Sequence, residues 1–468
     1  MKFANDFLDE FSRFGETMQQ RNTVLNRVSG LLLVLSASLP FSVHAQSYGF
    51  KACVESALNQ NPEMTLSSAR INQAKAALSK AESSRMPQIT VSMTASSSDN
   101  ALNVFGMKLQ QRSVVGSDLA SPDNINYSGS RADFNTRIEM LVPVWNGGKI
   151  SSYEDQASAM IEAAQKGDLA VQQYLTYNVY QAYEAVHAAR SYIKVSKQAL
   201  ETAESFVKTT KNLVEQGIVV RSELLSAEVH KSNAKVAVLK AQGQEQIALD
   251  TLKMLMNTDA NAVVDVAERV DLTLPVDSAG QLVPLALTSN LELEAKRKEA
   301  ASTSLAVAAA KADYYPNFNV MVRKDWHDDS IGLNADSYTV AGVLSWKVTD
   351  FGVTRSSVDI ANASALQKKA AVHSLENKVR LDVLSSWRKL QVAQQQVKAS
   401  SLAVEQASEA QNLILKRYKS GVATITEVLA SKTQLDKARA DLVSANYDVN
   451  VHKAKLLLAS GKMDINLL

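Results

Sequence analysis

"VPVWNGGK", residues 142–149, closes an apolar run and opens a stretch with no proline before Pro275. "WKVTDFGV", residues 346–353, does the same, and no proline follows it. In each, Asn146 or Asp350 stands where a side chain can accept hydrogen bonds from the free amides of a helix's first turn. The pattern predicts helices over residues 148–216 and 352–420, each on the order of 100 Å long at a rise of about 1.5 Å per residue. Gly217 and Gly421 stop them, and shorter helices return over 222–256 and 426–460. Their faces carry Ala, Ser and Gln with thin apolar seams such as Val171, Leu175, Val179, Ala182 and Val186. Such seams suit closely packed coiled-coil helices, not a thick globular core.

The paired motif belongs to a larger duplication. "ALNQNPEM" at 57–64 matches "ALTSNLEL" at 286–293, and Pro87 matches Pro316, at an offset of 229. From Val144 and Val348 onward the offset is 204, and it holds through Gly217 with Gly421 and Glu223 with Glu427. The first repeat therefore carries 25 extra residues between Pro87 and Val144, the difference of the two offsets, and they read as a surface loop over 97–131. The boundaries follow as a first repeat over 46–270, a linker over 271–283 and a second repeat over 284–468.

Each repeat opens with a helix, residues 62–86 and roughly 285–313, and continues with two strands. "QITVSMTAS" sets Ile89, Val91, Met93 and Ala95 against Thr90, Ser92, Thr94 and Ser96. "FNTRIEMLVPVW" sets Phe134, Ile138, Met140, Val142 and Val144 against Asn135, Arg137 and Glu139. Phe318, Val320 and Val322, then Tyr338, Val340, Leu344, Trp346 and Val348, alternate with polar residues in the second repeat. Strands of about 9–12 residues reach across a bilayer when tilted. Trp145, Tyr315, Trp326 and Trp346 fall near strand ends.

The N-terminus points to export. Residues 28–41, "VSGLLLVLSASLPF", are too short to span a membrane, follow Arg21 and Arg27, and precede Val43-His44-Ala45. They read as a signal peptide over residues 1–45, with the mature chain from Gln46. Asp6, Asp9, Glu10 and Glu16 do not suit a signal's start, and initiation at Met18 gives an ordinary one. With no other long apolar run, a membrane segment would be built of strands. Four strands cannot close a barrel and cannot leave open edges in lipid, so the chain must oligomerise. Two chains give a side-chain-filled barrel, and three give one wide enough for a lumen.

Composition removes other functions. The charges nearly cancel, 50 Lys and Arg against 48 Asp and Glu, which excludes a strongly basic nucleic-acid binder. Cys53 is the one cysteine and reads as a small buried apolar residue. His187 and His373 sit in helical patterns as seam or surface residues. No paired-His metal motif, phosphate loop or nucleophile elbow is present, so no enzyme and no cofactor is indicated. A soluble periplasmic coiled-coil scaffold and a passive porin remain as competing classes, although a porin needs no 100 Å helices.

Over essentially the whole mature chain the repeat plan resembles the TolC-like outer membrane efflux factors. "ALNQNPEM", Pro87 and Pro316 before strands, "VPVWNGGK" and "RYKSGVATITEVLASKTQL" carry the resemblance. It implies a mainly α fold with a small transmembrane β part. Three chains would close a 12-stranded barrel in the outer membrane, continued by a helical tunnel into the periplasm. It also implies a periplasmic adaptor and an inner-membrane transporter of RND, ABC or MFS type, with drugs, toxic compounds or proteins as cargo.

The resemblance places the hairpins 213–224 and 416–428 at the tunnel's periplasmic tip. There Glu223 and Glu427 would form a ring of carboxylates around the entrance that favours cations, unless each serves only its helix's dipole. The family's basic gate residue is replaced here by Ala423 and a second acidic position by Ala430, and Arg221 is the available cation. Tyr418, with Leu213 and Val214, packs between helices or belongs to the gate. Gly217, Ile218, Val219, Gly421, Val422 and Ala423 are expected to form the exposed surface that an adaptor grips.

Overall fold

In the first repeat β1 (Gln46–Tyr48) leads into α1 (Phe50–Gln60), α2 (Pro62–Ser83) and β2 (Gln88–Ser98). There follow α3 (Ala101–Gln110), α4 (Pro122–Asn126), β3 (Arg131–Trp145), α5 (Lys149–Glu215), α6 (Arg221–Leu255) and β4 (Val264–Val266). The second repeat runs α7 (Ala279–Ser289), α8 (Leu291–Lys311), β5 (Asn317–Asp328), β6 (Ala335–Ser345), α9 (Val353–Lys419) and α10 (Ile425–Ala459). This computed structural model describes residues 46–275 and 278–464. The signal-peptide reading of residues 1–45 and the start at Met18 lie outside the described residues.

The long helices α5 and α9 have 67 residues each, about 100 Å of rise. Among the described residues no helix is long and apolar enough to cross a membrane. Their start differs in one respect from the sequence expectation. The cap positions are Gly148 and Gly352, both left-handed, while Asn146 and Asp350 act from two residues upstream. Asn146 Oδ1 accepts from the Ile150 amide at 3.3 Å, and Asp350 accepts from the Gly352 and Thr354 amides at 3.1 and 2.9 Å. These bonds hold the Asp350 carboxyl below its usual range, the Thr354 hydroxyl contributing most. Between motif and helix Gly147 has φ +65°, and a Cβ there would lie 2.8 Å from the Ala312 carbonyl. Only glycine fits that approach.

The duplicated "ALNQNPEM" and "ALTSNLEL" stretches have a structural purpose. Asn61 accepts from the Glu63 amide at 2.9 Å, capping α2, and donates to the Leu255 carbonyl at the end of α6 at 2.8 Å. Asn290 repeats both bonds, to the Leu293 amide at 3.0 Å and the Ala459 carbonyl at 3.2 Å. Each asparagine thus joins a short helix to the end of a returning helix, so that two shorter helices run along one long one. The same residue breaks the single helix expected over 285–313 into α7 and α8, because Asn290 adopts an extended backbone. Asn61→Ala or Asn290→Ala is expected to lower stability by about 1–2 kcal/mol, since a cap and a buried carbonyl lose their partner together. Denaturant midpoints of the purified protein would check this, and a shift no larger than that of an exposed Asn446→Ala would count against the junction role.

The main sheet is antiparallel in the order β2-β3-β5-β6, so the two repeats share one sheet. Ile89 opposes Met140, Val91 opposes Ile138, and Val322 opposes both Met140 and Val340, building one apolar face. Thr94, Asn135 and His327 line up on the other face, as do Ser92, Arg137 and Asp325. The alternation expected through Val144 breaks near its end. A bulge between Pro143 and Trp145 leaves Val144 unpaired and puts Trp145 opposite Phe318. The segment between β2 and β3, expected as a loop, folds into α3, a 3-10 turn over Gly116–Leu119, and α4.

The largest core lies halfway along α5. Tyr180 and Tyr183 are fully buried there against Phe50, Cys53, Val54, Leu252 and Met256. Tyr183 donates to the Glu268 carbonyl at 3.0 Å, and Phe50 meets both tyrosine rings edge-on. Cys53 is an interior residue whose thiol pKa burial pushes up to about 11.

Candidate functional site

The two hairpins, α5–α6 and α9–α10, end at the pole opposite the sheet. Both turns use one device. Gly217 and Gly421 are left-handed, at φ +74° and +72°. The Ile218 amide reaches the Leu213 carbonyl at 2.9 Å and the Val422 amide reaches the Arg417 carbonyl at 3.0 Å, satisfying the last turn. Gly217, Ile218, Gly421 and Val422 are exposed, and Val219 is half-buried. Ala423 departs from the expected exposed surface. It is 9% exposed and packs with Phe206, Ala227, Tyr418, Ile425 and Val428 in a small core between the hairpins. Its methyl replaces water-facing surface with hairpin packing, so a partner would meet Gly421 and Val422 instead.

Glu223 and Glu427 occupy equivalent positions and do different work. Thr424 caps α10, and Glu427 bonds back to the Thr424 amide at 2.7 Å, closing a capping box. That amide holds the Glu427 carboxyl below its usual range, so it stays charged. In the first hairpin Val220 stands at the cap and has no side-chain bond to offer. The Glu223 carboxylate instead accepts from the Tyr418 hydroxyl at 3.0 Å and ties one hairpin to the other. Burial, then this carboxylate, pushes the Tyr418 pKa up to about 12. Tyr418 is therefore both packing residue and hydrogen-bond donor. Arg221 is exposed at the start of α6, two residues before Glu223.

Sequence reasoning passed over three neighbours. Phe206 lies on α5 facing Tyr418, with ring centres 5.7 Å apart. Lys432 is 5% exposed, and its Nζ sits 5.1 Å from the centre of the Phe206 ring. Burial lowers the Lys432 pKa and raises that of Asp436 beside it. A lone phenylalanine in the polar stretch "AESFVKTTKN" was the available signal. Among the described residues, no three His, Cys, Asp or Glu side chains gather as a metal site requires.

The model of the outer membrane efflux protein family matches residues 53–258 and 282–462. The outer membrane efflux protein BepC of Brucella suis is 21% identical over 295 residues, 62% of this chain and 64% of that protein. The chain thus aligns with a little under two thirds of BepC. The pyoverdine export outer membrane protein OpmQ of Pseudomonas putida is 22% identical over 86% of this chain and 84% of its own. Solved structures share the fold. CusC superposes with a TM-score of 0.75 at 16% identity, over 93% of this chain and 99% of its own. VceC of Vibrio cholerae gives 0.73 at 16% identity, over 88% and 96%. The fold is mainly helical with a small sheet, as in those structures. With residues 53–258 and 282–462 matched, the chain belongs to the outer membrane efflux protein family.

Proposed function

We propose that three copies of this chain form an export conduit through the outer membrane. One observation carries this reading. The four-stranded sheet is apolar on one face and polar on the other, and among the described residues its edge strands β2 and β6 have no neighbour on their outer sides. Lipid cannot hydrogen-bond those edges, so other copies must. Three copies supply 12 strands, enough for a wet lumen walled by the polar face. The long helices continue that lumen away from the sheet and into the periplasm.

The repeats 46–270 and 284–468, joined by 271–283, act as half-units of one subunit. A periplasmic adaptor docks at the hairpin turns around Gly217, Ile218, Gly421 and Val422. An inner-membrane transporter of RND, ABC or MFS type supplies the cargo, which is small molecules or proteins. Outer-membrane lipid surrounds the apolar face of the sheet. Glu223 and Glu427 give the entrance its negative charge, while the Tyr418–Glu223 bond holds the hairpins together.

The mass of the detergent-purified complex and its conductance in a planar bilayer test this. A trimer that inserts and conducts is the expected result; a water-soluble monomer without conductance would favour the scaffold reading. In the same recordings, the Glu223→Gln, Glu427→Gln double variant is expected to lose most of its preference for cations over anions. Unchanged selectivity would remove these carboxylates from the entrance.

A further inference from the structure

The extra segment of the first repeat lies at the end of the sheet away from the long helices. Its counterpart in the second repeat is the short link over residues 329–334. It is a folded element held by its own bonds. Asn100 caps α3, Lys108 pairs with Asp118 at 2.6 Å, and Val104 is fully buried. It then crosses every strand. It leaves β2 after Ser98, and Gln111 Nε2 donates to the Ala132 carbonyl, to Asp133 Oδ1 and to the Asp328 carbonyl at 2.9, 3.0 and 3.1 Å. These acceptors sit at the ends of β3 and β5. Arg112 Nη2 donates to the Asp336 carbonyl, at the start of β6, at 2.6 Å.

The Gln111 and Arg131 contacts set the side it takes there, while Arg112 reaches around to Asp336, which pairs with Trp326 on the apolar face. Asp133 lies two residues before Asn135, on the polar face, and pairs with His327 Nδ1 at 2.9 Å. Arg131, on the same face, donates to Gln111 Oε1 at 2.6 Å and to Ser113 Oγ at 2.7 Å. The dimensions agree. Ten residues of α3 span about 15 Å, and three gaps between neighbouring strands make about 14 Å.

We propose that residues 99–130 are a strap across the outer mouth of the channel. Each subunit covers its own third of the barrel end from the polar side, and Gln111, Arg112 and Arg131 are the fastenings. This rests on the proposed trimeric conduit, in which the polar face is the lumen wall and the end away from the helices is external. The strap makes the mouth narrower than the barrel, and large solutes pass only when it lifts.

The test is external labelling of Thr94→Cys in intact cells producing the full chain. Thr94 opposes Asn135 on the polar face, four residues in from the end of β2. Native Cys53 is buried and does not compete. A small impermeant maleimide is expected to label Thr94→Cys, and a bulky polyethylene glycol maleimide to label it slowly. Adding Gln111→Ala and Arg112→Gly is expected to raise the bulky rate by about tenfold while leaving the small rate unchanged. Arg112 has φ +54°, so glycine there relaxes the backbone instead of straining it. A second variant replaces residues 99–130 by the 329–334 link and is expected to rise at least as far.

Equal labelling by both reagents in the parent protein, or no change in the bulky rate in either variant, overturns the strap. Failure of even the small reagent, in a heat-modifiable outer-membrane trimer, means that the polar face is not the lumen wall. That result overturns the conduit reading and the strap with it.

Discussion

Val91→Arg and Val340→Arg are each expected to abolish assembly in the outer membrane. Both valines lie mid-strand on the apolar face, Val91 opposite Ile138 and Val340 opposite Val322, and are 67% and 63% exposed in the single chain. In the proposed barrel that exposed surface faces lipid. An arginine near the bilayer midplane of a barrel costs about 2–4 kcal/mol, and three copies multiply the cost to roughly 6–12 kcal/mol per assembly. That is comparable to the whole stability of an ordinary domain.

The neighbouring Thr90→Arg serves as the comparison. Thr90 opposes Glu139 on the polar face, so the new charge meets water and a carboxylate. Heat-modifiable trimers in outer-membrane fractions would be scored for all three variants. Assembly of Val91→Arg with failure of Thr90→Arg would invert the sidedness of the sheet and sink the barrel assignment.

Mild acid is expected to loosen the core halfway along α5. His187 lies on α5 beside Tyr183, and its Nε2 is buried without a hydrogen-bond partner. Burial first, then Arg269 and Arg190, depress its pKa from 6.5 to about 4, with Asp265 opposing. A base whose folded pKa is depressed is neutral in the native state and charges more readily when unfolded. Stability is therefore full above pH 6.5 and falls as pH drops toward 4. A shift of this size corresponds to a loss of up to about 3 kcal/mol.

Glu184, fully buried one turn before His187, works the other way. Burial raises its pKa against Asn450 and Arg269, so acid relieves its buried charge. The net slope is a difference of the two, and His187→Gln isolates the histidine's share. Urea midpoints measured from pH 7 to pH 4 should fall more steeply for the parent than for His187→Gln. Parallel curves would show that His187 does not control the acid response.

The sequence by itself determined the architecture because its signals are local and repeated. Proline-free runs between an Asn-Gly or Asp-Phe-Gly opening and a closing glycine define α5 and α9 through capping alone. Alternation defines β2 without exception through Ser96 and β5 and β6 with a few, such as Met321 and Val343, since neighbouring side chains on a strand point to opposite faces. The constant offsets of 229 and 204 revealed the duplication before any contact was known. Glu223 and Glu427 were marked as a pair by the same arithmetic.

Other features were decided only where distant residues meet. Glu427 bonds to Thr424, three residues away, whereas Glu223 reaches Tyr418 at 195 positions' distance, and position in a repeat cannot distinguish the two. Ala423 is buried by Phe206 and Ile425 from different helices, which no local pattern encodes. The helix break at Asn290 depends on the Ala459 carbonyl waiting at the end of α10. The strap is the largest instance: its composition reads as loop, and its place across the strand ends comes from Gln111 and Arg112 finding β3, β5 and β6. Hydrogen bonds along one helix or strand are written in neighbouring residues. Bonds between elements depend on which surfaces the fold brings within about 3 Å, and that is settled only when the whole chain has packed.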